Sequence, residues 1–277
     1  MAVKNSIQKT APTFSNFLTS PMVKAKINEV IGGKDGQRFM SAIISAVSVN
    51  PALQDCEHGT ILSSALLGEA LKLSPSPQLG QYYIVPFKDN KNNRTVATFQ
   101  LGFKGYIQLA LRSGNYKDID VIEIKEGEYL GRDANLGKPM FKFITDDVIR
   151  EELPTIGYMA YFELTNGFTK KMFWTKNKME AHAVKYSPAY ANDIKKKWNY
   201  SFWTKDFDAM AFKTMIRQLI SKWGIMSIDM ISAFDSDQDV VLENTDYVGA
   251  NDQPVEDAAD VLFQDVEVVE DGQPKED

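Results

Sequence analysis

The chain has 277 residues, 44% apolar and 11% aromatic, with one cysteine and two histidines. That composition suits one large folded core with tails; the lone Cys56 excludes an internal disulfide framework, and Cys56, His58 and His182 do not make a zinc-spaced cluster. The net charge of −6 is unevenly placed, because residues 235–277 hold fifteen acidic side chains against one lysine while residues 1–234 hold 30 basic against 22 acidic.

No run of about 18 apolar residues is present to span a bilayer, and residues 1–16 lack the charged-then-apolar pattern of a signal peptide. A cytoplasmic protein without membrane association is the expectation. Residues 1–20 are polar and broken by Pro12 and Pro21, so they read as a mobile arm that Phe14, Phe17 and Leu18 can dock. Asp35 reads as an N-cap for a helix over 35–49, with Phe39, Ile43, Ile44, Ala46 and Val47 at helical spacing. A second helix is expected over 60–73, ending at Ser74-Pro75-Ser76-Pro77.

The pattern then turns to β. Residues 81–87 and 95–101 predict a hairpin around a basic loop. A short helix over 102–113 follows, with Phe103, Tyr106, Ile107 and Ala110 on one side. Lys104, Gln108 and Arg112 recur every fourth residue on another; the stripe reads either as a phosphate ladder or as an ordinary solvated face. Residues 117–125 predict a strand, and 127–140 turns or short edge strands. Residues 155–164 alternate with Ile156, Tyr158, Ala160, Phe162 and Leu164 on one side, and Asn166-Gly167 predicts an antiparallel return over 168–174. On that return, Lys170 shares a face with Met172 and Trp174.

Thr175 is the expected N-cap of a helix to Tyr186, with Ser187-Pro188 as its break. A Trp- and Lys-rich connection is expected over 189–203, and a long helix opening at Thr204 or Asp206 and running to Met226. Beyond Phe234 the acidic segment has the composition of disorder. Three segments follow: an arm with a short helix (1–33), a body (34–234) and an acidic tail (235–277).

Residues 167–226 carry twelve Lys and Arg against four acids, and all four tryptophans. Cations that follow a phosphate backbone, interleaved with rings that stack on bases, are what sequence-tolerant single-strand binding requires. Catalytic patterns are missing: there is no phosphate-binding Gly-x-x-x-x-Gly-Lys loop, hence no expectation of ATP use. Cys56 and His58 do not read as a nucleophile and its base. Asp118, Asp120 and Glu123 are the best set for a Mg²⁺-dependent nuclease, the minor enzymatic alternative; a non-catalytic interaction scaffold is the other.

At Gln100-Leu101-Gly102-Phe103-Lys104-Gly105-Tyr106, continuing through Arg112 to Gly114, the sequence resembles the RecT family of phage and prophage single-strand annealing proteins. Trp174-Thr175-Lys176, the segment 182–186, and Trp203, Phe207, Met210-Ala211, Lys213-Thr214, Arg217 and Lys222-Trp223 resemble that family's later blocks in the same order. The resemblance spans 34–234. It implies an α+β fold, a small antiparallel sheet with β-hairpins packed on helices, as in the wider annealing-protein group. It implies ATP-independent binding of single-stranded DNA and pairing of complementary strands, by a homo-oligomer forming rings or helical filaments, with no nuclease activity of its own. No cofactor is required on this reading, with Mg²⁺ only modulating DNA binding. An exonuclease and a host single-strand-binding protein are the implied partners, and the acidic tail is left as a screen for the groove, a recruiting segment or a solubilising one.

Family position and charge together single out Lys104, Arg112, Lys176, Lys178, Lys185, Lys205, Lys213 and Arg217 as phosphate contacts, with Gln108 as a neutral one. Tyr186 and Trp203 are the stacking or wedging candidates. Trp223, on the apolar side of its helix, is expected in the core, and Trp174 and Trp198 stay open. The expected groove has the helix over 102–113 as one wall and residues 167–226 as the other.

Overall fold

Helices at both ends of the chain flank a middle built of antiparallel hairpins, and local signals explain where most of these elements begin. The computed structural model describes residues 13–89 and 92–242. The N-terminal helices are α1 (Phe14–Thr19), α2 (Pro21–Ile31), α3 (Gly33–Ser48) and, after a 3₁₀ turn at Pro51–Asp55, α4 (His58–Ala70). Phe14 and Leu18 are buried and Phe17 packs half-buried against the same core, so this part of the expected arm is docked by the three residues proposed to dock it. Pro21 does not interrupt a helix but starts one at its first position, where its missing N–H costs nothing. Asp35 lies in the first turn of α3 rather than at its cap, which is Gly32 at φ 96°.

Strands β1 (Tyr82–Asp89) and β2 (Arg94–Leu101) form the expected hairpin. Residues 90 and 91 of its basic loop lie outside the described residues. Arg94 bridges Asp89 at 3.1 Å and Glu57 at 3.2 Å, tying the hairpin to the start of α4. Helix α5 (Phe103–Arg112) follows directly. A Cβ on Gly102 would collide with the Gly80 carbonyl oxygen, and one on Gly105 with that of Gln81. Both glycines are therefore required by the close approach of α5 to the backbone before β1.

The second sheet has the order β3 (Tyr116–Lys125), β6 (Thr155–Leu164), β7 (Thr169–Thr175), all antiparallel. Gly167 takes φ 84° at the β6–β7 turn, as the Asn-Gly signal requires. Tyr158, Ala160, Phe162 and Leu164 face the main core together with Met172 and Trp174 of β7. Ile156 does not join them. The register slips between Ile124 and Lys125, so Ile156 is the extra residue of a β-bulge, and its side chain packs instead with Ile124, Met159 and Phe173 on the opposite face.

That opposite face is covered by the small hairpin of β4 (Tyr129–Arg132) and β5 (Pro139–Phe141). Glu128 anchors it: fully buried, its carboxylate accepts from Arg150 Nε at 2.7 Å and from the backbone N–H groups of Lys125 and Ile144. Burial alone raises the pKa of this carboxyl, but the hydrogen bonds from Arg150 and the backbone outweigh it and hold the group below its usual range. Arg150 belongs to a short helix, α6 (Asp147–Glu152), absent from the sequence reading.

The C-terminal half is helical: α7 (Lys176–Tyr186), α8 (Pro188–Lys196), α9 (Phe202–Lys205), α10 (Phe207–Trp223) and α11 (Ile228–Leu242). Thr175 caps α7 and Asp206 caps α10, as expected. Pro188 repeats the lesson of Pro21, starting α8 behind a Ser187 cap, so much of the anticipated connection is helix. The acidic segment also begins inside the fold. Residues 235–242 continue α11, Met230, Ala233 and Phe234 are in the core, and Asp237 is buried with them. Residues 1–12 and 243–277, where the mobile arm and acidic tail were expected, lie outside the described residues. The whole is α+β, two small antiparallel sheets and a short hairpin with helices packed on them.

Candidate nucleic-acid interface

The β7–α7 junction sets a basic surface. Alternation along β7 puts Lys170 on the face of Met172 and Trp174. The Thr175 hydroxyl then accepts from Lys178 N at 3.3 Å and turns the chain into α7. One helical turn apart, Lys178, His182 and Tyr186 lie on a common side of α7.

These groups make a continuous alternation of cation and ring. Lys178 Nζ lies 4.3 Å from the Trp174 ring centroid. His182 packs edge-on to Trp174 at 5.2 Å and tilted against Tyr186 at 4.5 Å. Lys185 Nζ lies 5.0 Å from the Tyr186 ring, which is exposed. From α10, Trp223 joins with Lys170 Nζ at 4.4 Å and Lys222 Nζ at 5.9 Å from its ring. Such contacts hold a cation near an aromatic face without neutralising it.

The field there is positive enough to move proton affinities. Burial lowers the Lys178 pKa first, and the charges of Lys222 and Arg132 lower it further. His182 is lowered by burial and then by Lys178, Lys185, Arg217 and Lys222. A surface where cations destabilise one another is one that an incoming phosphate relieves.

Of the residues singled out in the sequence, Lys178, Lys185 and Tyr186 therefore meet around His182, while Arg217 adds only its charge from a distance. The α5 stripe runs along a helix that packs on α10, with the Phe103 ring 5.5 Å from that of Phe212. Lys104, Gln108 and Arg112 are all exposed, but Arg112 donates to the carbonyls of Leu71 at 2.6 Å and Lys72 at 3.2 Å, closing the end of α4. Lys176 Nζ lies 6.0 Å from the Phe207 ring, and Lys205 Nζ 6.0 Å from that of Phe202. Lys213 and Arg217 face inward across α10 to Asp237, at 2.8 and 4.0 Å.

The tryptophans exchange the exposures expected of them. Trp203 is 6% exposed, packed on Phe207 at 5.1 Å and Tyr190 at 6.0 Å, while Trp223 is 39% exposed. Trp203 sits in the short helix α9, whose sequence carries no helical period. Trp223 ends α10, where the apolar stripe has already passed off the core. Arg132, Lys170, Lys222 and Trp223 are the members of the basic surface that the candidate set omitted. The alternation of β7 carried a signal for Lys170; the others come together only through tertiary packing.

Glu123 of the nuclease alternative is engaged by Lys125 Nζ at 2.6 Å and the Thr155 hydroxyl at 2.8 Å. Asp118 is exposed, and no group of three or more His, Cys, Asp or Glu side chains positioned for a metal occurs among the described residues. Cys56 is buried, its thiol pushed up to about 11 by burial and by Asp55. His58 packs between Phe14 at 5.6 Å and Phe17 at 5.3 Å. No described helix is long and apolar enough to cross a membrane.

An α+β body with a ring-studded basic surface defines a protein suited to hold a polyanion. Residues 37–253 match the RecT family, and the chain belongs to it. It is 38% identical over 242 residues to "Uncharacterized protein YqaK" of Bacillus subtilis (strain 168), covering 84% of this chain and 78% of that one. It is 25% identical over 240 residues to "Protein RecT" of Escherichia coli (strain K12), covering 86% and 82%. Membership of the family supports a role in DNA recombination, with binding of single-stranded DNA and strand annealing.

Proposed function

We propose that the chain binds single-stranded DNA and pairs it with a complementary strand without ATP, as a ring or helical filament of identical subunits. Two complementary strands repel through their phosphates, so a catalyst of pairing must neutralise backbone charge and leave base edges free. The observation that carries this reading is the basic surface of β7, α7 and α10, where Lys178, Lys185 and Lys222 crowd around His182 with rings between them. It offers sequence-independent charge and stacking rather than base-specific donors. No covalent step is assigned to the protein, and Mg²⁺ acts only by competing for phosphate. The partners on this reading are an exonuclease that supplies the single strand and a host single-strand-binding protein, in the cytoplasm of a bacterial host. The arm, body and acidic tail divide at about 33 and 234 in charge and composition.

The test is annealing of two complementary oligonucleotides, followed by quenching of a paired dye without nucleotide. The wild type should accelerate pairing well above the spontaneous rate. A Lys178→Gln, Lys222→Gln protein should bind single strands with a log-log salt dependence shallower by about 1.4, or roughly 0.7 for each phosphate that is no longer neutralised. Unaltered salt dependence in a folded double variant removes this surface from the DNA path, and shortened strands in place of paired ones point to a nuclease.

A further inference from the structure

The turn between α8 and α9 lies outside the basic surface described above, and it holds Tyr200, the most exposed aromatic side chain among the described residues of the C-terminal half, together with the exposed Trp198. Trp198 is 46% and Tyr200 73% exposed, with ring centroids 5.5 Å apart and planes at 80°. Lys196 Nζ lies 4.2 Å from the Trp198 ring, and Lys195 and Lys197 beside it are exposed. Rings left in water at this density call for a partner.

The loop is held firmly although its side chains are out. Buried Asp193 accepts from the backbone N–H of Tyr200 at 3.0 Å and of Ser201 at 2.8 Å, and from the Thr204 hydroxyl at 2.6 Å. Its own carbonyl accepts from Trp198 N at 2.9 Å. Lys197 takes the left-handed conformation, φ 55°, needed to reverse the chain between them. A buried carboxylate that binds two backbone N–H groups and the Thr204 hydroxyl, beneath a strained lysine, fixes the directions of Trp198 and Tyr200 before any partner arrives. Preorganisation of this kind reduces the entropy lost on binding.

We propose that Trp198 and Tyr200 form a base-stacking subsite for single-stranded DNA, with Lys195, Lys196 and Lys197 holding the adjoining phosphates; it rests on the DNA-binding reading above. Three consecutive lysines select an anionic partner, and lysine is depleted at protein–protein contacts. A T-shaped pair at a loop tip leaves the Tyr200 face open to one flat base. The Trp198 ring, with Lys196 beside it, offers a second surface. Stacking is indifferent to base identity, as annealing of any sequence demands.

The test compares full-length wild type, Trp198→Ala, Trp198→Phe and Tyr200→Ala on oligothymidylate and on an abasic oligomer of equal length. Expected is a roughly tenfold loss of oligothymidylate affinity for Trp198→Ala and for Tyr200→Ala, the worth of about one stacked base. Trp198→Phe should retain most of the affinity, and binding to the abasic oligomer and the salt slope should match wild type throughout. Equal losses on both oligomers overturn the proposal, as does wild-type affinity in the alanine variants. A smaller DNA-free assembly in the alanine variants, with base dependence intact, assigns the rings to a second copy of the chain instead. Wild type that binds neither oligomer at low salt overturns the DNA reading itself.

Discussion

The Asp237 carboxylate of α11 lies 2.8 Å from the Lys213 ammonium of α10, and Arg217, one turn further along α10, approaches it at 4.0 Å. The same carboxylate accepts from Leu101 N at 3.2 Å and the Tyr106 hydroxyl at 2.7 Å. One acidic side chain from the start of the acidic segment thus joins β2, α5, α10 and α11 inside the core. Burial first, then the Asp237 charge, pushes the Tyr106 hydroxyl well above its ordinary pKa, so it stays a donor.

Asp237→Ala should therefore destabilise the fold by about 3–5 kcal/mol, because it leaves the buried donors of Leu101 and Tyr106 and the half-buried Lys213 cation without their partner. Combining it with Lys213→Met should recover part of that loss, a coupling that urea denaturation of the four proteins measures directly. Additive losses would mean that the pair does not interact. A truncation at Phe234, where composition alone puts the tail, removes Asp237 with it. A truncation after Leu242 should keep wild-type stability, and only that protein can report what the acidic segment does to annealing.

Trp203→Ala should cost about 3–5 kcal/mol in stability, as loss of a buried tryptophan commonly does. Trp223→Ala, at a surface position, should shift stability by less than about 0.5 kcal/mol while weakening single-strand binding. Comparable denaturation midpoints for the two variants would contradict the packing of Trp203 against Phe207 and Tyr190.

The exchange of these two tryptophans marks where sequence reading stops. Periodicity and capping chemistry are local, and they placed both hairpins, α5, α7 and the start of α10 within a residue or two. Pro21 and Pro188 were misplaced because a proline that ends one element and a proline that begins the next look alike without the cap that precedes it. Ile156 changed faces because a bulge needs a partner strand to exist. The candidate site fared similarly. Lys178, Lys185 and Tyr186 were legible from the spacing of one helix and its family block, whereas Lys222, Trp223 and Arg132 reach that helix from α10 and β4. Lys213 and Arg217 have the spacing of a solvent-facing pair, and only a carboxylate on the next helix turns them inward.

Gly102→Ala and Gly105→Ala test whether the strongest family block is a fold determinant. Each new methyl would meet a backbone carbonyl, of Gly80 or Gln81, which has no side-chain freedom with which to yield. Either substitution should lower stability by about 1–3 kcal/mol and shift α5 relative to β1. Gly114→Ala meets no atom, and its cost comes from the left-handed backbone alone, φ 73°. Wild-type melting of Gly105→Ala would show that α5 does not approach Gln81 so closely.

His182 should make stability depend on pH between about 6.5 and its lowered folded value. Burial, followed by Lys178, Lys185, Arg217 and Lys222, disfavours the imidazolium in the folded state, while the unfolded chain titrates near the ordinary 6.5. Above that pH both states are neutral and the contribution to stability is complete. As pH falls through 6.5 the unfolded state takes up a proton that the folded state refuses, so stability declines until the folded imidazole also titrates. Asp193, whose carboxyl falls to about 2 through its Thr204, Ser201 and Tyr200 hydrogen bonds despite the opposing effect of burial, acts only below the ordinary 3.8, in a separate window. His182→Gln should flatten the urea midpoint between pH 7.5 and 5.5 relative to wild type. Lys178→Gln with Lys222→Gln should narrow the window by letting the imidazole charge more readily. Parallel pH profiles for wild type and His182→Gln would mean that the cations around α7 do not act on this ring.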